Sequence, residues 1–197
     1  DTLAEDAAAL IERLELAPCH FAGLSMGGFI GMRLAIRRPQ LLKSLTLMET
    51  SADAEPEENR SQYRVLNFIA RWFGLGLVAS RVMPIMFGGN FLTNPERKEE
   101  RDEWRSRMAA NHRVGISRAV GGVINRDAVF GQIDEIKIPT LIIVGDQDVA
   151  TVPEKAERMH DRIEGSEMVV IPGAGHTASL EEPDAINAAM QDFLARQ

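Results

Sequence analysis

The chain has 197 residues, 45% hydrophobic and 26% charged, which supplies one sizeable core and argues against disorder. The net charge is −7, with basic residues interleaved among acids as in the run from Glu96 to Arg107; this argues against a nucleic-acid partner, which needs clustered Lys and Arg. No apolar stretch reaches the roughly 20 residues that span a bilayer, the nearest (Phe68 to Phe87) being broken by Arg71, Arg81 and Pro84, so no membrane partner is expected.

In chain order, Thr2 and Glu5 fit a capping box, and Leu3, Ala7, Leu10, Ile11 and Leu14 then fall on one helical face. Asp1-Thr2-Leu3-Ala4-Glu5 lacks the basic start of a signal peptide. The single Cys19 excludes an intrachain disulfide and fits a small core residue. The cytoplasm is therefore the default expectation. Cys19 to Leu24 reads as a short strand, Met26 to Arg38 as a helix stopped by Pro39, and Ser44 to Met48 as a second strand. Ala52 to Asn59 is an acidic connection. Residues 60–130 are helical in pattern, with breaks at Gly74, Gly76, Pro84, Gly88-Gly89 and Asn94-Pro95, and with Tyr63, Leu66, Ile69, Ala70 and Phe73 as one apolar face. Thr140 to Val144 and Glu167 to Ile171 are buried-strand runs ended by Gly145 and by Pro172-Gly173. Pro153 and Pro183 open helices, the last with Ile186, Ala189, Met190 and Phe193 inward. Short apolar strands alternating with helices indicate a parallel sheet covered on both faces.

Gly23-Leu24-Ser25-Met26-Gly27 matches G-x-S-x-G and sits after a strand and before a helix, where a sharp turn projects the serine hydroxyl at a helix N-terminus. Gly23 and Gly27 lack a Cβ that would block close approach of neighbouring backbone, and Gly28 lets the helix pack on the sheet. Gly145-Asp146-Gln147-Asp148 follows one later strand and Gly173-Ala174-Gly175-His176 another. In a parallel sheet these loops gather at the carboxyl edge. A hydroxyl needs a base of pKa near 7, and that base needs a carboxylate to orient it. Ser25 and His176 fill the first two roles. Asp148 and Asp146 both lie in the right loop for the third, and Glu49 ends the preceding strand. His20 reads as structural, and His112 and His160 as solvated. No histidine pair has metal-site spacing, so no metal is expected.

With these motifs the chain resembles the α/β-hydrolase superfamily, specifically its small esterase, lactonase and perhydrolase-like branch. The resemblance rests on Gly23 to Gly28, on Pro139 through Asp148, and on Gly173-Ala174-Gly175-His176 with Glu182-Pro183 following. It implies an α/β fold: a mostly parallel sheet flanked by helices, the C-terminal portion of the hydrolase fold, with a helical cap. Residues 1–51 and 133–197 then form the core and residues 52–132 the cap. It favours Asp148 as the acid, three residues after the glycine, although some relatives place theirs where Glu49 stands. It implies a serine hydrolase acting without cofactor on a small ester or lactone through an acyl-enzyme, with the Met26 N–H as oxyanion donor. Met83, Met86, Phe87 and Phe91 become candidates for lining an acyl pocket. A cofactor-free perhydrolase, carbon–carbon hydrolase or lyase using the same three residues, or a non-catalytic ligand-binding member or inactive fragment, is the rival expectation.

Members of that superfamily begin with several strands before this first helix, and a loop among them carries a second oxyanion donor. About a quarter to a third of the expected domain is not in the sequence. The expectation is a nucleophile strand at an open sheet edge, self-association or dependence on a separate N-terminal segment, and weakened catalysis without it.

Overall fold

The computed structural model describes all of residues 1–197. Four strands, β1 (Cys19–Leu24), β2 (Leu42–Met48), β3 (Thr140–Gly145) and β4 (Glu167–Ile171), form one parallel sheet in the order β1-β2-β3-β4. Leu24 pairs with Met48, Met48 with Ile143, and Gly145 with Ile171. The carboxyl ends of all four strands are therefore level. β1 pairs on one side only, so it is an edge strand. Ten helices accompany the sheet: α1 (Thr2–Arg13), α2 (Met26–Arg37), α3 (Glu57–Phe73), α4 (Ala79–Met86), α5 (Gly89–Thr93), α6 (Lys98–Ala110), α7 (Arg113–Ile124), α8 (Pro153–Arg162), α9 (Ala178–Glu181) and α10 (Pro183–Leu194). No strand interrupts the run from α3 to α7.

β3 shows why the strands read as continuous apolar runs. Every residue in it is buried, because side chains alternate between two covered faces. Ile142 and Val144 join the larger core with Leu45, Leu47, Met32 and Met159, on the side of α2 and α8. Leu141 and Ile143 join the smaller core with Ile186 and Phe193 of α10. Pro153 and Pro183 each sit at the first position of their helices, where the missing N–H is not needed.

Three local expectations are corrected. Asp1, not Thr2, precedes the first helical residue, and no side chain caps α1; the Asp1 carboxylate instead takes Arg33 at 3.2 Å and Arg37 at 2.9 Å. The buried stripe of α1 is Ala4, Ala8 and Ile11, while Leu3, Leu10 and Leu14 are exposed. Both stripes satisfy a 3.6-residue period, and the two alanines let α1 lie closer to its neighbour than leucines allow. In α3, Tyr63, Leu66 and Ala70 face inward, but Phe73, the last residue of the helix, turns outward and is exposed.

Candidate active site

The site is assembled at the carboxyl edge of the sheet. Ser25 caps the N-terminus of α2 with φ 52° and ψ −109°, a positive-φ backbone that costs an L-residue on the order of 1–3 kcal/mol. Several contacts hold it there. Its N–H donates to the Met48 carbonyl at 2.8 Å, and its carbonyl accepts from Thr50 Oγ1 at 2.8 Å. A Cβ on Gly23 would lie 2.3 Å from the Gly27 carbonyl, and one on Gly28 would lie 2.5 Å from the Thr50 side chain. Those two glycines are required by close approach. Gly27 has open space beside it, so the expectation of a close approach there is not met. Met26 opens α2, and a first helical residue has no intrahelical acceptor for its N–H. That N–H and the helix dipole mark a place for negative charge beside Ser25.

His176 Nε2 lies 2.9 Å from Ser25 Oγ, and His176 Nδ1 lies 2.9 Å from Asp148 Oδ2. Asp148 is deeply buried yet well bonded. Its Oδ1 accepts from the Ala150 and Thr151 N–H groups at 2.8 and 2.9 Å, and its Oδ2 accepts from the Thr151 hydroxyl at 2.6 Å. Burial alone raises the Asp148 pKa. The hydrogen bond and charge of His176, with the Thr151 bonds, outweigh it and hold this carboxyl well below the usual carboxylate range. An ionised Asp148 accepts only, so Nδ1 carries the hydrogen and Nε2 turns its lone pair to the Ser25 hydroxyl. The sequence reading missed Thr151. It lies in the buried Asp148 turn, where only its position three residues after the acid could have pointed to it.

The other acids do different work. Asp146 accepts from the Gly173 N–H at 2.6 Å, joining the acid loop to the start of the histidine loop. Glu49 is fully buried at φ 46° and accepts from the Gly145 N–H at 3.1 and 3.0 Å. Burial first, then the neighbouring Asp148 and Glu181, push its pKa up to about 9, against the pull of the Gly145 N–H. Glu49 is thus a neutral carboxylic acid beside an ionised one and makes no hydrogen bond to His176. Glu181, also missed from sequence, accepts from the N–H groups of Gly88 at 2.8 Å and Gly175 at 3.0 Å. It ties the segment entering α5 to the loop that carries His176. A Cβ on Gly175 would lie 2.3 Å from the Gly88 nitrogen, so that junction needs glycine.

A cavity of about 410 Å³ opens over Ser25 and His176, within the range that holds a small ligand. Its walls are mostly apolar and come from α3, α4 and α7, with Leu66, Val82, Ile85 and Val120 among them. Of the four expected pocket residues only Met86 lines it. Met83, Phe87 and Phe91 instead form their own buried cluster against Trp104 and Leu180, with Phe87 and Phe91 stacked at 4.6 Å. Met83 lies on the side of α4 away from the cavity, which Ala79, Val82, Ile85 and Met86 face, while Phe87 and Phe91 follow the end of α4, Phe91 in α5. The polar lining is sparse. Arg126 and Glu55 pair at 2.7 Å, both nearly buried, with the guanidinium 4.3 Å over the Phe29 ring. Asn67 donates to the Ser117 carbonyl at 3.1 Å, while its Oδ1 is buried without a partner. Nothing in the sequence paired Glu55 with Arg126 across that separation.

The remaining histidines are engaged elsewhere: His20 with Ser44 across the β1–β2 pair, His112 at the cap of α7, and His160 with Ser166. Cys19 is half-buried against the larger core.

Among known proteins, the chain is 28% identical over 200 residues to 3-oxoadipate enol-lactonase 2 of Acinetobacter baylyi, covering 100% of this chain and 71% of that one. A thermophilic esterase from Thermogutta terrifontis superposes with a TM-score of 0.88 at 28% identity, over 98% of this chain and 71% of that one. The enol-lactonase from Burkholderia xenovorans gives a TM-score of 0.88 at 26% identity, over 98% of this chain and 72% of that one. The profile of the alpha/beta hydrolase fold family matches residues 1–183, and with this match over most of its length the chain belongs to that family.

Proposed function

We propose that the protein is a serine hydrolase that cleaves a small carboxylic ester or lactone through an acyl-enzyme. The observation that carries this reading is the hydrogen-bonded line Ser25–His176–Asp148, with both links at 2.9 Å. Ser25 Oγ attacks the substrate carbonyl carbon as His176 Nε2 takes its proton. Asp148 holds Nδ1–H and stabilises the imidazolium. The Met26 N–H, at the start of α2, donates to the carbonyl oxygen as it becomes negative. When the tetrahedral species collapses, the carbon–oxygen bond to the leaving alcohol breaks and the alcohol oxygen takes the proton from Nε2. Water then repeats the sequence on the acyl-enzyme: His176 removes its proton, the hydroxide adds to the carbonyl, and Ser25 Oγ leaves with the proton.

The cavity supports the choice of substrate class. Its apolar walls suit the carbon skeleton of a compact acyl or lactone ring, and a hydroxyl or amide donor on that skeleton would satisfy Asn67 Oδ1. The similarity to an esterase and to two enol-lactonases supports the same class. Hydrolysis of p-nitrophenyl acetate and butyrate tests the proposal. Turnover by the wild type that disappears in Ser25→Ala is the expected result. Turnover unchanged by Ser25→Ala would overturn it.

A further inference from the structure

The outward face of α3 carries large apolar side chains that no part of the chain covers. Val65, Phe68 and Trp72 follow at spacings of three and four, so they form one stripe. Phe73 and Leu77, where the helix ends and the next turn begins, extend it. These five side chains are 58–68% exposed. Phe68 meets Phe73 edge to face at 6.4 Å, so the aromatics form a patch rather than scattered residues. A monomeric protein rarely leaves such a contiguous patch in water without a partner for it.

Beyond the acidic first turn of α3, which holds Glu57 and Glu58, the charges on the helix have one sign. From Asn59 to Pro95 the chain contains Arg60, Arg64, Arg71 and Arg81 and no Asp or Glu, although the whole chain has net charge −7. Arg60 pairs with Glu57, while Arg64, Arg71 and Arg81 have no carboxylate partner in the chain. Arg71 lies 5.3 Å over the Trp72 ring, and Arg113 of α7 reaches the Trp72 carbonyl at 3.5 Å. Three of the four acids of α6 are matched locally, Asp102 by Lys98, Glu103 by Arg107 and Glu100 by Arg97.

We propose that this face of α3 docks on an anionic lipid surface. Tryptophan and phenylalanine settle at the boundary between headgroups and acyl chains, and flanking arginines meet the anionic headgroups. No helix of this chain is long and apolar enough to cross a membrane. The expectation of no membrane partner rested on that length, and a helix lying in the interface does not need it. A second copy fits the face less well. A two-fold contact through it would set Arg64 and Arg71 of one copy against the same residues of the other. The opposite face of α3 carries Tyr63, Leu66 and Asn67 into the cavity over Ser25. Docking therefore places that cavity beside the lipid surface, and the proposal stands whether or not the ester chemistry does.

Co-flotation of the full chain with vesicles of equimolar phosphatidylcholine and phosphatidylserine tests it, with pure phosphatidylcholine vesicles alongside. The expected result is flotation with the mixed vesicles, much less with phosphatidylcholine alone, and loss with added salt. Phe68→Ser/Trp72→Ser should abolish flotation. Arg64→Gln/Arg71→Gln should weaken binding on the order of 30-fold, two charges each contributing about 1 kcal/mol near an anionic surface. Both variants should keep the wild-type circular dichroism and the wild-type turnover of a soluble ester. Absence of flotation, or flotation that these variants leave unchanged, would overturn the proposal. So would a wild-type dimer that does not float and that Phe68→Ser/Trp72→Ser converts to monomer, which would make the occupant a second copy.

Discussion

Replacing Glu49 with glutamine removes one titration while keeping the bonds of a neutral carboxyl. The new side-chain carbonyl can still accept from the Gly145 N–H, and its amide can donate toward Asp148. In the folded chain Glu49 holds its proton up to about pH 9, against an ordinary value of 4.5. A proton bound more tightly when folded makes a stabilising contribution that is complete below the unfolded pKa and is lost as pH rises through the folded one. The contribution of Glu49 is therefore full below about pH 4.5 and gone by about pH 9. Between these limits it declines by about 1.4 kcal/mol per pH unit, so about 3 kcal/mol is already lost near pH 7. The Glu49→Gln variant has no such slope. Urea denaturation of both proteins from about pH 6 to about pH 8 isolates the difference, because all other titrating groups are common to the two. The variant's unfolding free energy should fall less steeply by about 1.4 kcal/mol per pH unit, and it should retain ester turnover. Parallel stability curves would show that Glu49 is already ionised in the fold and that the buried pair is misassigned.

Asp148→Asn should fold and lose roughly 10⁴-fold in turnover, because the neutral amide no longer holds the His176 tautomer; steady-state ester kinetics check this, with Glu49→Gln far milder. Gly23→Ala should cost at least about 3 kcal/mol in thermal or urea unfolding, since its Cβ would lie 2.3 Å from the Gly27 backbone, which cannot rotate away as a side chain could. Arg126→Leu should cost about 3–5 kcal/mol by leaving the Glu55 carboxylate buried and unpaired, and Glu55→Gln in the same background should recover part of the loss in the same assay.

The strands were readable because each is a short, mainly apolar run, β3 and β4 closed by Gly145 and by Pro172-Gly173, and a parallel sheet covered on both faces makes every position of β3 buried. Ser25 and His176 were readable because a strand-to-helix turn with Gly23 and Gly28 leaves few alternatives for the serine, and one histidine lies in a matching loop. Where reading failed, packing made a choice that periodicity leaves open. The Ala4–Ala8–Ile11 stripe prevails over the leucines of α1 through close helix approach. Met83, Phe87 and Phe91 are apolar at helical spacing, but the chain leaves the helix after Met86, and the break between α4 and α5 turns the two phenylalanines into their own cluster with Met83. Thr151, Glu181 and the Glu55–Arg126 pair are polar residues whose importance comes from burial and long-range partners. The apolar face expected on α3 included Phe73, but the end of the helix turns it outward, beside the exposed Phe68 and Trp72.

The central claim is that Ser25 is an activated nucleophile with His176 as its base. Labelling with a fluorophosphonate probe, followed by peptide mapping, measures this directly, because the probe forms a covalent bond only with a serine whose hydroxyl proton is being taken. A single adduct on Ser25, largely abolished by His176→Ala, is the result expected from the 2.9 Å contact between Nε2 and Oγ. An adduct on another serine, or labelling of Ser25 that is indifferent to His176→Ala, would contradict the account.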